Sequence, residues 1–103
     1  MGWMHKDYEE DNVGINSLAF IGEDELIHMT SGMVRPGDWD CGMAASQETI
    51  VVTSGMLSVN GKQFVSGDME PCVIQPGEHI QIKADELSTY LCYYDPPLTP
   101  KEE

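Results

Sequence analysis

"ETIVVTSGMLSVNGKQFV", Glu48 to Val65, is the stretch on which the fold class turns. Its first half is a run of β-branched residues with Glu48, Ile50 and Val52 in phase, closed by Ser54-Gly55. Such a run, bounded by turn residues, reads as a strand. Its second half reads as a hairpin around Asn60-Gly61. A type I′ turn needs positive φ at both central residues, and Asn and Gly tolerate it best.

The same punctuation continues in both directions. Upstream, "GINSLAFIG" predicts a strand from Ile15 to Ile21, and "EDELIHMTSGMVRPG" predicts turn, strand and turn, with Pro36-Gly37 as the breaker. "DWDCGM" is a further short strand. Downstream, "PCVIQ", "HIQIKA" and "STYLCYY" (88–94) are strands separated by turns at "SGD" (66–68) and "PGE" (76–78). In "HIQIKA" His79, Gln81 and Lys83 alternate with Ile80 and Ile82, the pattern of a half-buried strand. About eight or nine short strands with tight turns predict an all-β protein, a small antiparallel barrel or double-sheet jelly roll. The expected domain runs from 13 to 95. Residues 1–12, polar and acidic, form an expected N-terminal tail, from which Trp3 and Tyr8 can dock on a neighbour. Residues 96–103 form a Pro-rich C-terminal tail.

With 103 residues the chain fits one domain with a modest core, so pairing of two copies would help to bury apolar surface. Eighteen acids against five bases give a net charge of −13, and Arg35 is the only arginine. That balance argues against nucleic acid and against anionic membrane surfaces as partners. No apolar run approaches the ~20 residues of a membrane span, and no signal peptide is visible. Cys41, Cys72 and Cys92 are an odd set without CxxC spacing. This argues against a disulfide framework and makes a reducing cytoplasm the expectation.

Glu48 followed by Gly55 matches the second half of the first cupin motif, and "SGD…PGEH" matches the second motif. Within the cupins, "SLAF" (17–20), "GMVRPGDW" (32–39), "ETIVVTSGMLSV" (48–59) and "TYLCYY" (89–94) resemble the small single-domain pyrimidine/purine nucleoside phosphorylases, in order and approximate spacing. The resemblance implies a cupin-type β-barrel. It also implies phosphate-dependent cleavage of a nucleoside to base and ribose 1-phosphate, with inorganic phosphate as co-substrate and no other cofactor. The chain departs from that pattern at Tyr93, where the family has Arg, at Gln47, where it has Pro, and at Met43, where it has Thr.

Metal-binding cupins take two His and a Glu from the first motif and a His from the second. Here the His slots fall at Cys41 and Met43, or at Gly42 and Ala44 if the loop is one residue shorter. The slot of the second motif falls at Ile80, with His79 one position off. A one-residue slip turns a strand side chain to the other face, so the expectation is no metal. A Cys41/Glu48/His79 zinc set is the alternative.

For phosphorolysis the candidate catalytic residues are Glu48, which would steady positive charge developing on the sugar, and His79, which would protonate the leaving base. Arg35, Ser54, Gln81 and Tyr90 are the candidate substrate-binding residues. Arg35 and the turn after Ser54 would hold the phosphate. The second reading is a metal-free cupin that binds a small polar ligand or serves as a structural dimer. In that case Glu48 is an edge carboxylate, His79 and Gln81 belong to a solvated face, and Tyr90 to Tyr93 are packing residues. The expected partners are a small molecule and a second copy of the chain, joined through an N-terminal strand and an outer sheet face.

Overall fold

The computed structural model describes residues 4–9, 14–68 and 70–99, the first of these stretches by its backbone. The expectation that Trp3 and Tyr8 dock on a neighbour concerns side chains outside the described residues. The described strands are β1 (Met4–Glu9), β2 (Ile15–Ile21), β3 (Ile27–Val34), β4 (Gly37–Met43), β5 (Gln47–Ser54), β6 (Met56–Val59), β7 (Lys62–Val65), β8 (Cys72–Ile74), β9 (His79–Ala84) and β10 (Ser88–Leu98). They form a six-stranded sheet, β1-β2-β3-β10-β5-β8, and a four-stranded sheet, β4-β9-β6-β7. Every pairing is antiparallel. The chain is an all-β jelly roll of two sheets, as its punctuation predicts.

Local chemistry explains the elements. β5 is the β-branched run, and β6 and β7 pair across Asn60-Gly61, whose φ angles are 51° and 87°. "SGD" closes into a single 3-10 turn, Ser66–Asp68. At the ends the strands run further than the sequence suggests. Met4–Glu9, within the expected tail, pairs with β2, and β10 continues past Tyr94 to Leu98. At the far end of β10 Leu98 pairs with Ile27 after a shift in register.

Between the sheets lie Ile50 and Val52 from β5, Tyr90 and Cys92 from β10, Val34 from β3, Leu57 and Val59 from β6, Phe64 from β7, and Ile80 and Ile82 from β9. Val34 and Leu57 are fully buried. Burial of a side chain the size of Leu57 contributes about 1.5–3 kcal/mol. A second, smaller cluster of Ala19, Ile21 and Ile27 lies towards β2. Tyr94 packs against both clusters.

Candidate functional site

The inner face of the six-stranded sheet can be read row by row from its register. Ser17, Gly32, Tyr90 and Val52 face one another across β2, β3, β10 and β5. The next row is Ala19, Thr30, Cys92 and Ile50, continued by Cys72 on β8. The row after that includes Tyr94, Glu48 and Ile74. Polar groups therefore run diagonally over this face, from Ser17 through Thr30 and Tyr94 to Glu48, between the two apolar clusters.

Most of this diagonal is hydrogen-bonded. The Thr30 and Tyr94 hydroxyls share a bond of 3.1 Å. The Cys92 thiol donates to Oε1 of Glu48 at 3.5 Å, and the Tyr94 hydroxyl also bonds Cys92. Thr30 is 1% exposed and Cys92 1%. Burial pushes the Cys92 thiol far above the usual thiol range, and the Glu48 carboxylate beside it pushes the same way. Cys92 is therefore a proton donor in this interior and not a thiolate nucleophile. Burial likewise raises Cys72 to about 11, helped by the Glu78 and Glu48 charges. At the other end of the diagonal Ser17 is 6% exposed. Its hydroxyl finds no hydrogen-bond partner among the described residues. Gly32, directly opposite Ser17, has no side chain, and the Tyr90 ring with its hydroxyl lies where a Cβ would be.

The structure does not bring the six expected site residues together. Glu48 points inwards, in phase with Ile50 and Val52 and bonded to Cys92. Tyr90 also points inwards and is buried. His79 and Gln81 lie on the outer face of β9, because the inward positions of that strand are Ile80, Ile82 and Ala84. There His79 pairs with Asp40 of β4 at 2.9 Å, and Gln81 bonds Asp38. Ser54 lies at the opposite end of β5 from Glu48, exposed and bonded to Thr89 at 2.8 Å. At about 3.3 Å per residue, the six steps between Glu48 and Ser54 span about 20 Å. Arg35 follows Val34, which pairs with Ser88 beside Ser54, so it shares the Ser54 end. Its side chain is exposed, and its carbonyl accepts the Trp39 indole N–H at 3.0 Å.

The three positions that would carry metal-binding histidines differ in fate. Cys41 packs against the core, Met43 is 65% exposed, and Ile80 is buried and apolar. The Cys41/Glu48/His79 set is split by the four-stranded sheet, since Cys41 and Glu48 face the interior and His79 faces outwards. Among the described residues no cluster of three or more His, Cys, Asp or Glu side chains could hold a metal ion.

Ser17, Thr30 and Tyr94 were not among the expected site residues. A signal for Tyr94 existed, because it is in phase with Tyr90 and Cys92 along the last strand. Nothing local marks Ser17 or Thr30, whose positions depend on cross-strand register.

No family model matches the chain, and no curated protein does. Solved structures do match. A protein of unknown function from Vibrio parahaemolyticus has a TM-score of 0.72 at 22% identity, over 88% of this chain and 98% of its own. A DUF1255 protein of unknown function from Acinetobacter sp. ADP1 has a TM-score of 0.72 at 18% identity, over 89% of this chain and 91% of its own. A cupin-2 domain from Rhodospirillum rubrum has a TM-score of 0.61 at 17% identity, over 97% of this chain and 76% of its own. At such identities the likeness concerns the fold, and this chain has the cupin fold.

Proposed function

We propose that the protein is a metal-free cupin that binds a small polar ligand against the inner face of its six-stranded sheet, rather than a nucleoside phosphorylase. The observation that carries this reading is the diagonal of Thr30, Tyr94, Cys92 and Glu48 between two apolar clusters. Thr30 and Tyr94 can each donate and accept, and a few polar groups set among apolar ones are the usual lining of a small-molecule site. The phosphorylase reading needs sugar and phosphate contacts within bonding reach of one reacting centre, about 3–3.5 Å. The roughly 20 Å between Glu48 and the Ser54 end weighs against it.

The test is a titration of the isotope-labelled protein with a panel of small polar molecules, followed by amide shifts. Saturable shifts at Thr30, Glu48, Cys92 and Tyr94 that disappear in Glu48→Gln are expected. Shifts confined to outer-face residues such as His79 and Asp40 would overturn the reading. In a parallel assay, uridine or adenosine with phosphate is expected to yield no free base. Phosphate-dependent release would restore the catalytic reading.

The proposal includes a homodimer. The outer face of the six-stranded sheet presents Leu18, Phe20, Met33, Leu91, Tyr93 and Val73 in neighbouring positions, with Met33 36%, Tyr93 46% and Val73 48% exposed. For copies carrying −13 each, contact through these uncharged side chains would keep the mutual repulsion low. Tyr93→Glu is expected to shift the light-scattering mass from two chains to one. A wild-type mass of one chain would refute the dimer.

A further inference from the structure

We propose that Asn60 is a self-modification site. Its side-chain amide is lost by attack of the Gly61 backbone nitrogen, leaving aspartate or isoaspartate, and the folded sheet holds that reaction back until the β6–β7 hairpin parts from β9.

The chemistry is present in the turn. Asn60-Gly61 is the only Asn-Gly pair in the chain. The Gly61 nitrogen has to reach the side-chain carbonyl carbon of Asn60. Glycine has no Cβ to shield its nitrogen, and no other group lies within 4 Å of where a Cβ on Gly61 would be. Both residues are exposed, so water reaches them. The new nitrogen–carbon bond closes a five-membered succinimide. The bond from that carbon to Nδ2 breaks, and the amide nitrogen leaves as ammonia with the proton that Gly61 gives up. Water then opens the ring at either of its two carbonyls. One opening yields aspartate. The other yields isoaspartate, in which the main chain runs through the side-chain methylene. Water is the only co-reactant.

The fold opposes the first step. Oδ1 of Asn60 accepts the Gln81 N–H at 2.8 Å, and Nδ2 donates to the His79 carbonyl at 2.9 Å. The Asn60 N–H donates to the Gln81 carbonyl at 2.9 Å. β6 pairs with β9 through Ser58 and Val59, so the Asn60 side chain carries that ladder past the point where the backbone turns away. In the sheet β6 lies between β9 and β7. The amide is drawn to the β9 side, whereas Gly61 leads the backbone towards β7. Attack requires the side chain to give up both of its bonds to β9.

The product does not fit the place it came from. That place needs an acceptor towards Gln81 and a donor towards His79. An amide is both, and an ionised carboxylate only accepts. An oxygen in place of Nδ2 would face the His79 carbonyl and the Glu78 carboxylate, whose Oε2 is 3.4 Å from Nδ2. Like charges so close repel. Conversion therefore turns a clamp between β6 and β9 into a repulsive contact, and the departure of ammonia makes it one-way.

The test ages the full-length protein in warm, mildly alkaline buffer, folded and in guanidinium chloride, and follows position 60 by peptide mass spectrometry. Conversion is expected to run at least about tenfold faster in the denaturant, because the folded side chain has to open locally before it reacts. Asn60→Asp, made directly, gives a second measurement independent of rate. It is expected to lower Tm by about 4–8 °C, and by less in a Glu78→Gln background, where an amide replaces the facing carboxylate. Equal rates in buffer and denaturant would overturn the protection by β9. Absence of conversion at position 60 in the denaturant would overturn the site itself. An Asn60→Asp protein as stable as the wild type, or destabilised equally in both backgrounds, would overturn the repulsive contact.

Discussion

Replacement of Gly32 by alanine tests the packing on which the inner face depends. A Cβ at this position would fall within the Tyr90 ring, and that ring is 9% exposed. It belongs to the main core cluster and has no open solvent side to swing into. Overpacking of this kind costs about 1–3 kcal/mol. For a domain of this size each kcal/mol lowers Tm by about 4–8 °C, so a fall of about 5–20 °C is expected. The double-mutant cycle with Tyr90→Val makes the argument specific. Without the ring, alanine meets open space and loses less chain entropy than glycine in a strand. Gly32→Ala should then become neutral or stabilising by about 0.5–1 kcal/mol. Urea unfolding of the four proteins measures the coupling, expected at about 1.5 kcal/mol or more. The reasoning is refuted if Gly32→Ala costs the same in both backgrounds, or if it leaves the wild-type midpoint within about 0.5 kcal/mol.

Two further outcomes follow from the buried thiols. Folding holds Cys72 and Cys92 above the usual thiol range, Cys72 at about 11. As pH rises above about 8.5 the unfolded chain sheds thiol protons that the folded chain keeps. Stability that is intact below that pH is therefore lost through the window up to the folded values. The slope is up to about 1.4 kcal/mol per pH unit for each thiol. Urea midpoints at pH 7.5 and 9.5 should show a decline that Cys72→Ala/Cys92→Ala removes, and an equal decline in that variant would count against the assignment. In a thiol-labelling time course at pH 8, half-buried Cys41 should react first. Cys72 and Cys92 should label only as the protein opens, and simultaneous labelling of all three would contradict the burial described.

Local chemistry specified much of the fold in advance. Period-two alternation and turn residues mark β2 and β9 at their observed bounds, and Asn60-Gly61 announces its own hairpin. The alternation also contains the fact that separates His79 from Glu48. His79 is out of phase with Ile80 and Ile82, whereas Glu48 is in phase with Ile50 and Val52. Alternation assigns residues to faces within one strand, and a site needs faces from several strands compared. The ends were harder to read. Met4–Glu9 has no apolar period of its own, and its strand is defined by pairing with β2.

The sequence by itself determined that this is a small all-β chain with a cupin-like order of strands, a strongly acidic surface and no histidines in the positions a cupin metal requires. Those properties depend on residue type and on spacing along the chain, with no contact between distant stretches needed to read them. Tertiary structure alone decided which polar groups meet. Ser17, Thr30, Tyr94 and Glu48 come from four strands, and their diagonal exists only through the registers of β2 on β3, β3 on β10 and β10 on β5. Tertiary structure also put Arg35 at the Ser54 end of β5, whereas the distance from Glu48 to Ser54 follows from the strand itself. A strand separates its two ends by its own length, and no folding of the rest of the chain can bring them together.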